Sequence, residues 1–144
     1  MKTPLVTELK HDPELFEEER FERLVAEKGS VALAFKQAIR DADEILNQRF
    51  LRLENIKLII RRRAWVMDNL LQRLWSHYSC AQCPDIALLA VGGYGRAELH
   101  PHSDIDLMIL LRDDASAERF KEDLSAFVTQ LWDMHGQFLK DMAS

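Results

Sequence analysis

Two aspartates in the middle of the chain carry the clearest chemistry. Asp104 and Asp106 are one residue apart at the start of an apolar run that predicts a β-strand. Side chains two positions apart on a strand lie on the same side, about 7 Å apart along the backbone. Two such carboxylates repel each other unless a cation lies between them, and Mg²⁺ is a hard cation that takes oxygen ligands. The spacing therefore predicts a magnesium site with Asp104 and Asp106 as ligands.

A glycine pair precedes the aspartates. The apolar run Asp85 to Val91 predicts a short buried strand that ends at Gly92 and Gly93. Glycines let the backbone approach a ligand closely, so that amide groups can face phosphate oxygens. Two other phosphate-binding motifs are excluded, because no Lys-Ser or Lys-Thr pair follows the glycines and because Glu98 stands where a dinucleotide fingerprint needs Gly or Ala. A glycine turn followed by two carboxylates suits a metal-bound triphosphate.

This pattern resembles the nucleotidyltransferase superfamily typified by DNA polymerase β, in which a strand, a Gly-Gly or Gly-Ser turn and a spacer lead to Asp-x-Asp on the next strand. The segments Gly92–Pro101 and Ser103–Leu107 are more narrowly similar to the amino-terminal domain of bacterial bifunctional uridylyltransferase/uridylyl-removing enzymes, which modify the PII nitrogen-signal protein. Leu70–Trp75 and Leu131–Asp133 also resemble that family. The resemblance covers roughly residues 55 to 133, and a motif match of this kind needs structural confirmation.

The resemblance implies that a tyrosine hydroxyl of PII attacks the α-phosphorus of UTP and that pyrophosphate leaves. Asp104 and Asp106 would hold magnesium ions, which neutralise charge and align the reacting oxygens. Gly92 and Gly93 would receive the triphosphate, and Ser103 is a candidate hydrogen-bond donor to it. Arg96 is a candidate countercharge, although an arginine at this position can equally pair with a neighbouring carboxylate or a backbone carbonyl.

The elements around these residues predict an α/β (α+β) fold: an incomplete polymerase β-like core preceded by a mainly helical region. We expect helical residues 1–84, a partial nucleotidyltransferase core at 85–133 and a divergent tail at 134–144. Asp12 and Pro13 have the residue types of a helix start, and Gly29 and Ser30 those of a helix end and a new start. Apolar residues then recur at helical spacing on three stretches, which predicts faces packed on the core: Phe35, Ala38, Ala42 and Ile45; Ile60, Ala64, Met67, Leu71, Leu74 and Tyr78; Phe120, Leu124, Phe127 and Leu131.

The length limits the expected activity. The resembled enzymes are several times longer than 144 residues and carry a His-Asp hydrolase domain and paired ACT domains. Nothing in this chain resembles those parts, so we expect neither uridylyl removal nor glutamine sensing. The superfamily also draws a third carboxylate from a later strand, and no strand pattern surrounds Asp141. We therefore expect a truncated or frame-shifted chain with impaired transfer and an open sheet edge.

Two other functions stay open at this stage. An adenylyltransferase on the same fold would use ATP instead of UTP, because the carboxylates do not read the base. A catalytically silent module would bind a nucleotide or a protein partner without turnover. Oligomeric state and the PII docking surface are also open.

Composition excludes several classes of protein. The net charge of −5 opposes general attraction to nucleic-acid phosphates, despite the run Arg61–Arg63. The chain has two cysteines, Cys80 and Cys83, which supply at most two of the four ligands of a structural zinc site. We therefore expect them to be reduced thiols. No apolar stretch approaches the length of a membrane span and no signal-peptide pattern follows Met1. We therefore expect a cytoplasmic protein with no nucleic-acid or membrane partner.

Overall fold

The structure is a computed structural model, and it describes residues 11–91 and 106–135. Most of the described residues are helical, and two strands form a small sheet. The elements in chain order are α1 (Glu18–Lys28), α2 (Val31–Leu51), α3 (Ile56–Trp75), a 3-10 turn (Ser79–Gln82), β1 (Ile86–Val91), β2 (Asp106–Leu111), α4 (Asp114–Arg119) and α5 (Lys121–His135).

The junction between α1 and α2 has the predicted chemistry. Gly29 ends α1 with φ +70, a left-handed conformation that glycine adopts without a Cβ penalty, and its amide donates to the Val25 carbonyl. Ser30 begins α2, because its side chain accepts a hydrogen bond from the Leu33 amide at 3.3 Å. Both predicted boundaries are confirmed.

The predicted start of the first helix at Asp12 and Pro13 is wrong. The Asp12 carbonyl accepts from the Leu15 and Phe16 amides in a turn, and α1 begins only at Glu18. The Asp12 carboxylate makes an ion pair with Arg49 of α2 (2.8 Å) and another with Arg62 of α3. This carboxylate therefore joins two helices of the fold instead of capping one.

One hydrophobic core connects the helices with the sheet. Its cluster of buried side chains includes Phe35 of α2, Leu71 of α3, Leu88 of β1 and Ile109 of β2. The long helix α3 lies at its centre, with buried residues on most of its circumference. The predicted helical faces are confirmed for these elements, although Tyr78 follows the end of α3 and Phe120 stands between α4 and α5.

The two strands are antiparallel, and their register runs from Ile86 opposite Leu111 to Val91 opposite Asp106. Leu88 and Ile109 form one of the buried pairs, whereas Leu89 and Leu110 are about 40% exposed, at 37% and 41%. Alternation of buried and exposed residues is typical of a sheet with one face on a core. Both predicted strands are confirmed over Ile86–Val91 and Asp106–Leu111, and the sheet of the described residues has two strands. The predicted strand position of Asp104 lies outside the described residues.

Candidate functional site

Both motif strands lead to the same end of the sheet. Val91, the last residue of β1, is the register partner of Asp106, the first residue of β2. Gly92 follows Val91 directly in the chain, so the glycine pair is adjacent in sequence to the strand end that pairs with Asp106. Backbone pairing thus places the residue before Gly92 opposite Asp106. The sequence predicted the two strands, and the structure adds their register.

Most of the predicted site residues lie outside the described ranges. Gly92, Gly93, Arg96, Ser103 and Asp104 belong to residues 92–105, and Asp106 is described by its backbone. The metal-ligand roles of Asp104 and Asp106 therefore stay predictions. Within residues 11–91 and 106–135, no group of three or more His, Cys, Asp or Glu side chains could hold a metal ion.

A packed layer of side chains supports the sheet from one face. Leu107 and Ile109 of β2 are 0% and 1% exposed, and they belong to the same cluster as Phe127 of α5. Trp75 and Tyr78 meet the Phe127 ring edge-on, with centroid separations of 4.9 and 5.6 Å. Edge-to-face pairs of this kind are favourable beyond the burial of area. Close packing next to Leu107 fixes the strand that begins at Asp106.

The opposite end of the sheet is closed by an ion pair. Arg112 Nε lies 3.2 Å from Asp85 Oδ1, and the Arg112 amide donates to the Asp85 carbonyl at 2.9 Å. Arg112 is 74% exposed, so the ion pair itself contributes little stability. The backbone bond extends the β1–β2 register beyond Leu111. The strands are thereby held in one register from their far end to the motif end.

Comparison with known families identifies the kind of domain. Residues 32–136 match the family model described as "Putative nucleotidyltransferase DUF294". The chain belongs to this nucleotidyltransferase family. The matched residues include both strands, the segment between them and helices α2 to α5.

Curated relatives of this family member are long enzymes. The chain is 50% identical over 123 residues to the bifunctional uridylyltransferase/uridylyl-removing enzyme of Pseudomonas putida (strain W619). The aligned residues make up 85% of this chain and 14% of that protein. It is 51% identical over 123 residues to the enzyme of the same name from Pseudomonas fluorescens (strain SBW25), with the same shares covered. The match to that of Stutzerimonas stutzeri (strain A1501) is 46% over 135 residues, 92% of this chain and 15% of the relative.

These matches confirm the resemblance drawn from the motif. The chain spans about one seventh of the length of the curated relatives it matches (14%). No solved structure matches it. None of the helices in the described part of the chain is long and apolar enough to cross a membrane.

The nucleotidyltransferase domain also holds a buried carboxylate that the sequence analysis missed. Asp68 on α3 is 5% exposed, and its Oδ2 accepts a hydrogen bond from Gln72 Nε2 at 3.1 Å. Its Oδ1 is buried without a hydrogen-bond partner among the described residues. Burial raises the pKa of this carboxyl to about 6. The available signal was its spacing, four residues after Ala64 and three before Leu71, both on the core-facing stripe.

The cysteine pair has no metal-binding partners in this part of the domain. Cys80 is fully buried and Cys83 is half-buried, and both are free thiols. Burial raises the pKa of the Cys80 thiol to about 11, with the charge of Asp123 acting in the same direction. A thiol with a raised pKa is a poor nucleophile and a poor metal ligand at neutral pH. Cys80 therefore acts as a small core residue here.

Proposed function

We propose that this chain forms the nucleotide-binding part of a uridylyltransferase, which transfers a uridylyl group from UTP to a tyrosine of the PII signal protein. One observation carries the proposal: β1 and β2 pair so that the residue before Gly92 is opposite Asp106, in a chain of the nucleotidyltransferase family. The name of the curated relatives supports the uridylyl group as the one transferred. We further propose a polymerase β-like core and a cytoplasmic location.

The donor set suits magnesium. Asp104 and Asp106 offer carboxylate oxygens, which are the ligands that Mg²⁺ takes, and the cation leaves part of its coordination shell to phosphate. In β2 the core-facing positions are Leu107 and Ile109. Magnesium, when bound, would neutralise the phosphate charge during transfer.

The remaining motif residues would bind the triphosphate. Backbone amides at Gly92 and Gly93 would face its oxygens, Ser103 would donate a hydrogen bond and Arg96 would supply positive charge. In the proposed reaction the tyrosine oxygen forms a bond to the α-phosphorus of UTP, and the bond to pyrophosphate breaks. The tyrosine proton is transferred to water or to the departing pyrophosphate. Positioning and charge stabilisation account for most catalysis in such sites.

Nucleotide titration of three single variants tests the binding site. We expect Asp104→Asn and Asp106→Asn to weaken binding of UTP in the presence of Mg²⁺ by about tenfold or more, because each removes one charged metal ligand. Asp114→Asn is the matched control, since Asp114 is an exposed carboxylate on α4 outside the motif. Unchanged affinity in both motif variants would refute the site.

Donor choice and turnover test the reaction. The chain is incubated with PII, Mg²⁺ and labelled UTP or ATP, beside a full-length relative as a positive control. Label from UTP on PII supports the uridylyltransferase proposal, whereas label from ATP alone would replace it with adenylyl transfer. Nucleotide binding without pyrophosphate release would identify a silent binding module. From the sequence analysis we expect much less incorporation by this chain than by the relative.

A further inference from the structure

The two cysteines lie outside the proposed nucleotide site, on the connection between α3 and β1. Cys80 is within the 3-10 turn Ser79–Gln82, and Cys83 is the residue that ends this turn. Both are free thiols in the structure. Two cysteines separated by two residues are the spacing of disulfide oxidoreductases, in which the pair alternates between dithiol and disulfide. The geometry of the turn decides whether this pair can do the same.

The backbone of the turn brings the two cysteines within disulfide range. The Cys83 amide donates a hydrogen bond to the Cys80 carbonyl at 3.1 Å, which closes one 3-10 turn. In such a turn the side chains at i and i+3 eclipse, and the rise between these two residues is about 6 Å. Disulfide-bonded residues have Cα atoms roughly 4.4–6.8 Å apart. The turn can therefore accept a disulfide without a rearrangement of its backbone.

Both side chains also lie on the core side of the turn. Cys80 is fully buried in the hydrophobic core, and Cys83 is half-buried and packs against the same cluster. Burial is the main cause of the raised pKa of the Cys80 thiol, and the negative charge of an ionised Cys83 acts in the same direction. Like charges shift a pKa in this way when the two groups are neighbours. Backbone and side-chain observations thus agree that the two thiols face each other.

Contacts on both sides of the cysteines hold the turn in place. Before them, the Ser79 hydroxyl donates a hydrogen bond to the Asp123 carboxylate of α5. After them, the Cys83 carbonyl accepts from the Ile86 amide at 3.3 Å, and Ile86 is the first residue of β1. A turn held in this way leaves the thiols few relative positions, which raises their effective concentration toward each other.

We propose that Cys80 and Cys83 form a redox-active pair, which a low-molecular-weight disulfide oxidises to an intramolecular disulfide in the folded protein. Cys83 reacts first, because it is the thiol that a reagent can reach. Its thiolate attacks one sulfur of the reagent, which forms a mixed disulfide and releases one thiolate. The Cys80 sulfur then loses its proton, attacks the Cys83 sulfur and displaces the second thiolate.

This exchange is balanced, and it does not involve the nucleotide chemistry. The protein loses two electrons and two protons, and the reagent becomes two thiols. Burial of Cys80 makes the second attack the slow step, since the thiolate is the nucleophile.

Equilibration of the full chain in buffers of reduced and oxidised glutathione tests the pair. After acid quenching we expect mass spectrometry to show the loss of two hydrogens per chain, and alkylation under denaturing conditions to find neither thiol free. The urea-unfolded chain in the same buffers is the reference. The equilibrium constant for oxidation should be at least about tenfold larger in the folded protein, because only the folded turn holds the thiols together. A constant that is equal or smaller would overturn the proposal.

Two single variants separate the roles of the thiols. Cys80→Ala keeps a small apolar side chain in the core and lacks the second thiol, so it should accumulate a mixed disulfide on Cys83. A mixed disulfide that also persists in the parent chain would refute the pair.

Cys83→Ser is the matched control. We expect its remaining thiol to react with oxidised glutathione at least about tenfold more slowly than the thiol of Cys80→Ala, because Cys80 is 0% exposed. Equal rates would show that a reagent reaches Cys80 directly and would overturn the proposed order of attack.

Discussion

At the scale of single residues, Asp68 has the most consequential environment. Its pKa of about 6 lies above the ordinary value of 3.8, so the folded state favours the protonated form more than the unfolded chain does. Below pH 3.8, Asp68 is therefore protonated in both states and does not lower the free energy of unfolding. As pH rises from about 4 to about 6, the buried carboxyl increasingly lowers the free energy of unfolding. This loss of stability is complete above the pKa of the folded state.

We predict that Asp68→Asn stabilises the protein at pH 8 and has little effect at pH 4. The amide cannot ionise, and its oxygen can still accept the hydrogen bond from Gln72. A shift of two pKa units corresponds to up to about 3 kcal/mol in the free energy of unfolding. Urea denaturation of parent and variant across this pH range measures the difference. A difference that does not grow with pH would show that Asp68 is ionised at little cost in the folded protein.

At the scale of elements, local signals predicted helix boundaries well where tertiary contacts agree with them. Gly29 and Ser30 mark the α1–α2 junction because their own backbone and side-chain chemistry determines it. Asp12 failed as a predictor because its carboxylate binds Arg49, which is 37 residues away in the chain. No local pattern in the sequence indicates such a partner.

In the candidate site, too, local features could be predicted from the sequence and contacts between distant residues could not. Its residue types and both strands were predictable, since glycine turns and apolar runs are local features. The register that puts Val91 opposite Asp106 is a property of paired backbones and required the structure. Asp68 was missed because a charged residue at a core position conflicts with the hydrophobic pattern on which the prediction rests.

The α1–α2 junction yields a prediction of stability. We expect Gly29→Ala to lower the free energy of unfolding by about 1 kcal/mol, because an alanine must adopt φ +70 there. A Cβ at this position would meet no atom within 4 Å, so no steric clash adds to the backbone cost. Gly29→Asn is the control and should lose less, since asparagine tolerates the left-handed region. Equal stability of Ala and Gly in chemical denaturation would contradict this geometry.

At the scale of the whole molecule, the core links the helical region with the strands that carry the motif. Buried residues of α2, α3, β1, β2 and α5 belong to one cluster. The division of the chain at residue 84 stays a prediction. Unfolding experiments can show whether the two parts unfold separately or together. A shared core favours a single cooperative transition, because loss of packing on one side exposes apolar surface on the other.

Phe127 allows a test of this cooperativity. It is fully buried on α5 and contacts Trp75 and Tyr78, which belong to the helical region predicted for residues 1–84. We predict that Phe127→Ala costs about 3–5 kcal/mol and that hydrogen exchange then accelerates together in α2 and β1. Trp132→Ala on the same helix is the matched control, because Trp132 is 51% exposed and its loss should change stability by less than about 1 kcal/mol. If β1 loses protection in Phe127→Ala while α2 keeps its own, the helical region and the motif strands are separate folding units, and the proposed nucleotide site would depend on the second unit alone.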